Sequence, residues 1–176
     1  MNPTQAARSQ TYSLWFMPRG TLYRSLEYTI ARLSQAWGTP RFEPHVTLLG
    51  ALTGLDEKII QQTARLAGLL QSPTIQLTSL SGSETYFRCL YIRVEPTAEV
   101  LAIHQQAREL FQQPDEPPFR PHLSLMYGHQ PRQVRNDIID RLGDKFQGEF
   151  IANELHLCDT TGVPDSWQRV RSFSLI

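Results

Sequence analysis

Hydrophobic positions along the chain alternate between the period of a strand and the period of a helix. β-Branched and aromatic residues fill 11–18, where a proline ends the run, so we predict a strand there. Apolar residues then recur every three or four positions over 22–37, which predicts an amphipathic helix with Thr21 as its N-cap and Gly38 as its stop. The chain therefore begins with a strand followed by a helix.

The same alternation continues through the middle of the chain. A short strand is predicted over 45–50, and a second helix starts near Asp56 and carries apolar residues as far as Leu70. Strict alternation predicts a strand over 74–80, and the β-branched and aromatic stretch 86–94 is the strongest predicted strand.

The order of predicted elements then starts again. The later elements are a helix capped by Thr97 that runs to Phe111, a strand over 122–128, a helix from Pro131 to Gly143, and strands over 150–158 and 167–176. Strand, helix, strand, helix, strand thus occurs twice, with one further strand at the end.

A short motif marks the same duplication. The letters FEPHVTL at 42–48 return as FRPHLSL at 119–125, so that His45 and His122 are 77 positions apart (122 − 45). Shifting the first helix by the same offset places it on the third helix. We therefore predict a single domain, 1–176, with halves at about 11–80 and 86–158 and a closing strand at 167–175. Such halves pack about a pseudo-twofold axis, which would place the two histidines across one cleft.

Each histidine is followed two residues later by a hydroxyl side chain. Residues i and i+2 lie on one face of a strand, so His45 faces the same way as Thr47, and His122 the same way as Ser124. Two imidazoles suit the hydrolysis of a strained cyclic phosphodiester, because one can accept a proton from water while the other protonates the departing oxygen near neutral pH. The hydroxyls would donate hydrogen bonds to the phosphate oxygens, and this chemistry needs no metal.

Composition narrows the class of partner. The 176 residues are 40% hydrophobic, and 17 basic side chains balance 17 acidic ones, so no strong field is present to hold a long polyanion or an anionic membrane. The polar N-terminus and the lack of an apolar run long enough to span a bilayer lead us to expect a soluble, cytoplasmic protein. We further expect a monomer, with Cys89 and Cys158 as free buried thiols.

On these motifs the chain resembles the cyclic phosphodiesterases of the two-histidine phosphoesterase superfamily. It is most similar to the plant type, which acts on ADP-ribose cyclic phosphate and nucleoside 2′,3′-cyclic phosphates. The resemblance is carried by the stretches YSLW, PRFEPHVTLLG, YFRCLYI, PTAEV, PHLSLMYG and LHLCDTT. It implies a bilobal α+β fold with two antiparallel sheets about a pseudo-twofold axis, a central cleft and helices on the outside. It also implies hydrolysis to a 2′-phosphate without metal or other cofactor, with His45 protonating the leaving oxygen and His122 activating water.

The resemblance extends to residues around the motifs. It points to Tyr127 as a phosphate or water contact, although strict alternation would place Tyr127 on the face opposite His122. Either the strand bends or ends before Gly128, or Tyr127 is a core residue instead. Three aromatic residues near the expected cleft, Trp15, Tyr86 and Phe87, are candidates for stacking on a nucleobase, with core packing as the alternative. Trp167 follows a Gly- and Pro-containing loop and is a fourth candidate.

Other chemistries are less well supported by the residues. His104 lies on the apolar stripe of its helix and is expected to pack, and Glu154, His156 and Cys158 share a strand face that could hold a metal but for which packing is preferred. The expected partner is a small cyclic phosphate nucleotide or an ADP-ribose derivative, with RNA ends as a further substrate. A phosphoesterase acting on RNA ends or 2′-5′ linkages would need a basic groove. A non-catalytic nucleotide- or RNA-binding module would not need both histidines and both hydroxyls.

Overall fold

The computed structural model describes residues 10–114 and 117–176. The expectation about the N-terminus rests on residues 1–9, which lie outside this range, as do residues 115–116 ahead of the second motif. The helices and strands of the described residues are β1 (Thr11–Phe16), α1 (Gly20–Trp37), β2 (Val46–Thr53), α2 (Asp56–Ala67), β3 (Thr74–Gly82), β4 (Leu90–Val94), α3 (Ala98–Leu110), β5 (His122–Met126), α4 (Arg132–Leu142), β6 (Gly148–Ile151), β7 (Glu154–Asp159) and β8 (Gln168–Ser174), with short 3₁₀ turns at Tyr86–Arg88 and Pro164–Ser166. This is the predicted α+β class.

The strands form one antiparallel sheet in the order β6-β3-β4-β5-β2-β1-β7-β8. Two blocks of four strands meet at its centre, where β2 pairs with β5 only through Val46 and Leu123. The structure thus has one continuous sheet where two separate sheets were expected. This single pairing joins the central edges of the two blocks at the point where both histidine-bearing strands begin, so the two motifs lie side by side.

Two predicted strands differ from the structure. Residues 86–94 were predicted as one strand, but Tyr86–Arg88 is a 3₁₀ turn and β4 begins at Leu90. The turn is held by the Ser83 hydroxyl, which donates to the Arg88 carbonyl oxygen at 2.8 Å. The predicted strand 150–158 is divided between β6, which pairs with β3, and β7, which pairs with β1. One straight strand could not reach both places in the sheet.

Helix capping was predicted at two positions with different outcomes. Thr97 is confirmed as the N-cap of α3, because its hydroxyl oxygen accepts a hydrogen bond from the Val100 amide at 3.2 Å. Thr21 is wrong as a cap: α1 already begins at Gly20, and the N-cap position is Arg19, which makes no side-chain capping bond. Asp56 is the first residue of α2, as predicted.

The helix-facing side of the sheet forms the core. Val46, Leu48, Leu123 and Leu125, which alternate with the histidines and hydroxyls of the two motifs, are at most 1% exposed. Burial of these four apolar side chains anchors each motif strand from behind and leaves its polar residues on the other face. Cys89 and Cys158 are buried free thiols. Among the described residues, every helix is too short or too polar to cross a membrane.

Candidate active site

One cavity of about 350 Å³ brings most of the predicted site residues together. Its walls contain eight of the residues singled out from the sequence, namely Trp15, His45, Thr47, Phe87, His122, Ser124, Tyr127 and Trp167. Tyr86 is not part of the wall, but its ring stacks behind Tyr127 with centroids 6.2 Å apart. Thr11, Ser13, Ala51 and Thr160 complete the lining.

The two imidazoles are held by the same kind of hydrogen bond to a backbone carbonyl oxygen. His45 Nδ1 lies 2.6 Å from the carbonyl oxygen of Glu43, and His122 Nδ1 lies 2.7 Å from that of Arg120. Because a carbonyl oxygen can only accept, each Nδ1 carries the hydrogen, and Nε2 of the neutral ring is the free base. A proline, Pro44 or Pro121, separates each histidine from the residue whose carbonyl oxygen accepts this hydrogen bond.

His45 is the more deeply buried of the pair. It is 4% exposed, and its ring stacks on Trp15 with centroids 3.7 Å apart and an interplanar angle of 9°. Burial lowers the pKa of His45 from 6.5 to about 4, and repulsion from His122 adds to this shift, against the opposing effect of the Glu43 carbonyl. His45 is therefore neutral at pH 7 in the ligand-free protein.

His122 is only partly buried, and its contact with an aromatic ring is steeply inclined rather than parallel. The Tyr91 ring lies 5.4 Å away at an angle of 69°. Burial lowers the pKa of His122 as well, the hydrogen bond to the Arg120 carbonyl opposes that shift, and the nearby Arg88 charge lowers the pKa further. Both histidines thus favour the neutral form before an anion binds.

The two motif hydroxyls differ in what they contact. The Ser124 hydroxyl donates to the Phe87 carbonyl oxygen at 2.8 Å, which ties the 3₁₀ turn to β5. The Thr47 hydroxyl makes no hydrogen bond to the described part of the chain. A ligand oxygen could therefore be bound by Thr47 at once, whereas Ser124 would first have to give up its backbone acceptor.

Tyr127 lies at the cavity although simple alternation predicted the opposite face. In the pairing of β4 with β5, Tyr91 is opposite Ser124 but Leu90 is opposite Met126, which leaves Leu125 as an extra residue. This bulge reverses the alternation. Tyr127 is 3% exposed and stacks on Phe42 at 3.9 Å. Burial raises the pKa of its phenol, so Tyr127 remains a hydrogen-bond donor at neutral pH.

An aromatic wall faces the histidines. The Trp167 ring lies 6.0 Å from Trp15, 6.0 Å from Phe87 and 5.9 Å from Tyr127. Phe87 remains 49% exposed. The wall therefore offers flat apolar surface at the cavity, which is the surface a nucleobase or ribose would need.

The lining of the cavity also contains hydroxyls that sequence reasoning missed. The Ser13 and Thr160 side-chain oxygens are 3.2 Å apart, and Thr160 donates to the Thr11 carbonyl. Ser13 could have been found, because it lies two residues before Trp15 on the same strand and alternation places both on one face. Thr160 and Ala51 carry no such signal.

The remaining histidines lie outside this cavity. His104 Nδ1 is 2.9 Å from the Leu48 carbonyl oxygen, and its ring stacks on Phe119 at 3.8 Å, in agreement with a packing role. His156 Nδ1 lies 2.8 Å from the Ser172 hydroxyl. In residues 10–114 and 117–176, no three His, Cys, Asp or Glu side chains are grouped so that they could hold a metal ion.

Comparison with known proteins identifies the family of this chain. The family model of cyclic phosphodiesterase-like proteins matches residues 10–175. The cyclic phosphodiesterase of Arabidopsis thaliana is 25% identical over 161 residues, which cover 89% of this chain and 88% of that protein. Among solved structures, TT0787 of Thermus thermophilus has a TM-score of 0.65 at 17% identity over 94% of this chain and 97% of its own.

E. coli LigT in complex with 3′-AMP shares the fold as well. Its TM-score is 0.59 at 13% identity, and the match covers 96% of this chain and 99% of LigT. The resemblance inferred from the two histidine motifs is thus confirmed over almost the whole length. The chain belongs to the family of cyclic phosphodiesterase-like proteins.

Proposed function

We propose that this protein hydrolyses nucleoside 2′,3′-cyclic phosphates, ADP-ribose 1″,2″-cyclic phosphate, or both, to the phosphate monoester, which for a nucleoside is the 2′-phosphate. The observation that carries the proposal is the matched pair of imidazoles in one cavity, each with Nδ1–H held by a carbonyl and each followed by a hydroxyl two residues later. Family membership supports the same class of reaction. So do the relatives, since the Arabidopsis protein is a cyclic phosphodiesterase and LigT binds 3′-AMP.

The reaction requires two proton transfers on opposite sides of the phosphorus. One neutral imidazole accepts a proton from water as the water oxygen bonds to phosphorus. The other, in its charged form, donates a proton to the ribose oxygen as the bond between that oxygen and phosphorus breaks. Each transfer is typically worth about 10²–10⁴ in rate. The Thr47 and Ser124 hydroxyls and the Tyr127 phenol stabilise the charge that builds on the non-bridging oxygens.

We assign the acid role to His45 and the base role to His122, as the resemblance implies. An anionic phosphate raises the pKa of both rings, because opposite charge favours the protonated form. His45 has an additional source of stabilisation once it is protonated: the face of Trp15 lies 3.7 Å from it and attracts a cation. The Tyr91 ring lies farther from His122, at 5.4 Å and an angle of 69°, so His122 has no parallel stack of this kind on Tyr91.

A leaving-group substitution tests the assignment. In a cyclic phosphorothiolate the departing atom is sulfur, which needs little help from an acid. His45→Ala should therefore recover much of its activity on the sulfur substrate, and His122→Ala should not. Recovery by His122→Ala alone would reverse the two roles.

Phosphorus NMR in the presence of EDTA tests the proposed reaction itself. The protein is incubated with 2′,3′-cyclic AMP, 2′,3′-cyclic GMP and ADP-ribose cyclic phosphate. The wild type should form a 2′-phosphate from each cyclic nucleotide, and His45→Ala and His122→Ala should each lose about 10²–10⁴ in rate. His129→Ala is the matched control, because His129 is exposed and outside the cavity. Wild-type rates from either motif variant would refute the mechanism. If the wild-type protein is folded and all three substrates stay intact, the cleft instead binds RNA ends, 2′-5′ linkages or a ligand that it does not cleave.

A further inference from the structure

A second cavity of about 720 Å³ adjoins the first one. The two cavities share Thr47, Ala51 and His122 in their walls, so a ligand held between the histidines can continue directly into the second cavity. Its far wall contains the parallel stack of His104 on Phe119, with an interplanar angle of 3°. The second cavity is therefore an extension of the candidate active site with walls of its own.

Two arginines distinguish this extension from the first cavity. Arg88 and Arg120 both line it, and among the described residues neither guanidinium has a carboxylate within 4.0 Å. Other arginines near the motifs are paired: Arg41 with Glu27 at 3.4 Å, and Arg169 with Glu43 at 3.1 Å. Within residues 10–114 and 117–176, therefore, no carboxylate neutralises the positive charge that Arg88 and Arg120 bring to the extension.

The internal repeat shows that this charge belongs to one half of the molecule. The position 77 residues before Arg120 is Glu43, whose carboxylate is held by the Tyr23 hydroxyl at 2.8 Å and by Arg169. The position 77 residues before Arg88 is Thr11. The backbone supports both halves in the same way, so the arginines are not needed for the fold of the motif. Arg88 also lies close enough to His122 to influence its pKa, which places its charge at the junction of the cavities.

We propose that Arg88 and Arg120 bind a second phosphate of the substrate, carried on the 5′ side of the ribose that bears the cyclic phosphate. Arginine is suited to this task because its planar fork of donors matches phosphate oxygens. The His104–Phe119 stack gives the group beyond that phosphate a flat surface to lie against. This inference deepens the proposed function. It rests on that function in one respect, namely that the cyclic phosphate and the second phosphate belong to one substrate.

Binding of product-like nucleotides tests the inference without any turnover. Calorimetric titration compares 2′-AMP with adenosine 2′,5′-bisphosphate, which differ only in the 5′-phosphate. The wild type should bind the bisphosphate at least about tenfold more tightly, since charge-assisted hydrogen bonds to a phosphate are worth at least that factor. Arg88→Met and Arg120→Met should each reduce the ratio severalfold, and the double variant should bring it close to one.

Arg41→Met is the matched control, because it also removes a positive charge just before a histidine motif but at a residue paired with Glu27. It should keep the wild-type ratio. A ratio near one in the wild type, or an equal loss in Arg41→Met, would overturn the inference. A ratio that depends on Arg88 and Arg120 in a protein that hydrolyses no cyclic phosphate would uphold the second phosphate site and refute the proposed function. Hydrolysis of cyclic phosphates by a protein whose affinity ratio is near one would uphold the proposed function and refute the second phosphate site.

Discussion

Burial of a neutral histidine at the centre of the cleft should make the stability of this protein fall at mildly acidic pH. His45 is 4% exposed, and its pKa is lowered to about 4, chiefly by burial. The unfolded chain therefore binds this proton more readily than the folded protein. The contribution of neutral His45 to the free energy of unfolding is complete above about pH 6.5 and is lost as the pH falls towards 4.

The size of the effect follows from the two pKa values of His45, 6.5 unfolded and about 4 folded. Each unit of pKa difference corresponds to about 1.4 kcal/mol, so the full difference approaches about 3 kcal/mol. Between pH 8 and pH 5 the folded protein should lose about 2 kcal/mol on account of His45 alone. That is a large part of the about 5–15 kcal/mol that stabilises a typical domain.

Urea denaturation of wild type and His45→Gln at pH 8 and pH 5 isolates this contribution. The other histidines titrate in both proteins, so the difference between the two pH-dependent losses belongs to His45. Wild type should lose about 2 kcal/mol more than His45→Gln. His129→Gln, which replaces an exposed histidine, should behave like wild type. Equal losses in wild type and His45→Gln would show that His45 is not held neutral by burial, and the argument would fail.

Three further predictions concern catalysis. The pH profile of kcat/KM should be bell-shaped with its maximum below pH 6.5. The reason is that the free enzyme needs one charged and one neutral imidazole, and the pKa values of both histidines are lowered. A maximum above pH 7.5 would contradict this. Thr47→Val should lower kcat by about 10²–10³, and Ser124→Ala by less, because the Ser124 proton is already donated to the Phe87 carbonyl; single-turnover rates decide the order. Trp15→Ala should admit water and move the pKa of His45 back towards 6.5, which NMR titration measures directly.

The central pair of the site could be predicted from the sequence because its signal is local and repeated. His45 and Thr47, like His122 and Ser124, need only the two-residue period of a strand to face one way, and the repeat places the two pairs together. Tyr127 shows where this reasoning ends. Its side of the strand is set by the extra residue Leu125 in the pairing with β4, and that register is a property of two strands together rather than of either alone.

Tertiary contacts also explain the residues that were missed or misplaced. The stretch 86–94 has the composition of a strand throughout, yet its first three residues are bent into a turn by hydrogen bonds from Ser83 and Ser124. That turn places Arg88 at the junction of the two cavities. Thr160 reaches the site because β7 pairs with β1, and its hydroxyl donates to the carbonyl of Thr11, a residue 149 positions earlier in the chain. Local patterns cannot report such neighbours.

The duplicated backbone holds two histidines in the same way, but acid and base catalysis requires them to differ. The difference comes from the side chains around each motif. In the strand pairing, Trp15 lies opposite Thr47, whereas Tyr91 lies opposite Ser124. In the internal repeat, Gly50 of the first half corresponds to Tyr127 of the second half.

Gly50 has a consequence for the substrate. A methyl group at Gly50 would lie 3.6 Å from the Ser13 hydroxyl and 3.7 Å from Thr47, so the glycine leaves free the space that the Tyr127 ring fills in the other half. One side of the site therefore presents a phenol, and the other side presents open volume next to the hydroxyls of Ser13 and Thr47. Under the proposed mechanism, two such unequal walls would favour one orientation of a cyclic phosphate and so determine which of its oxygens faces each histidine.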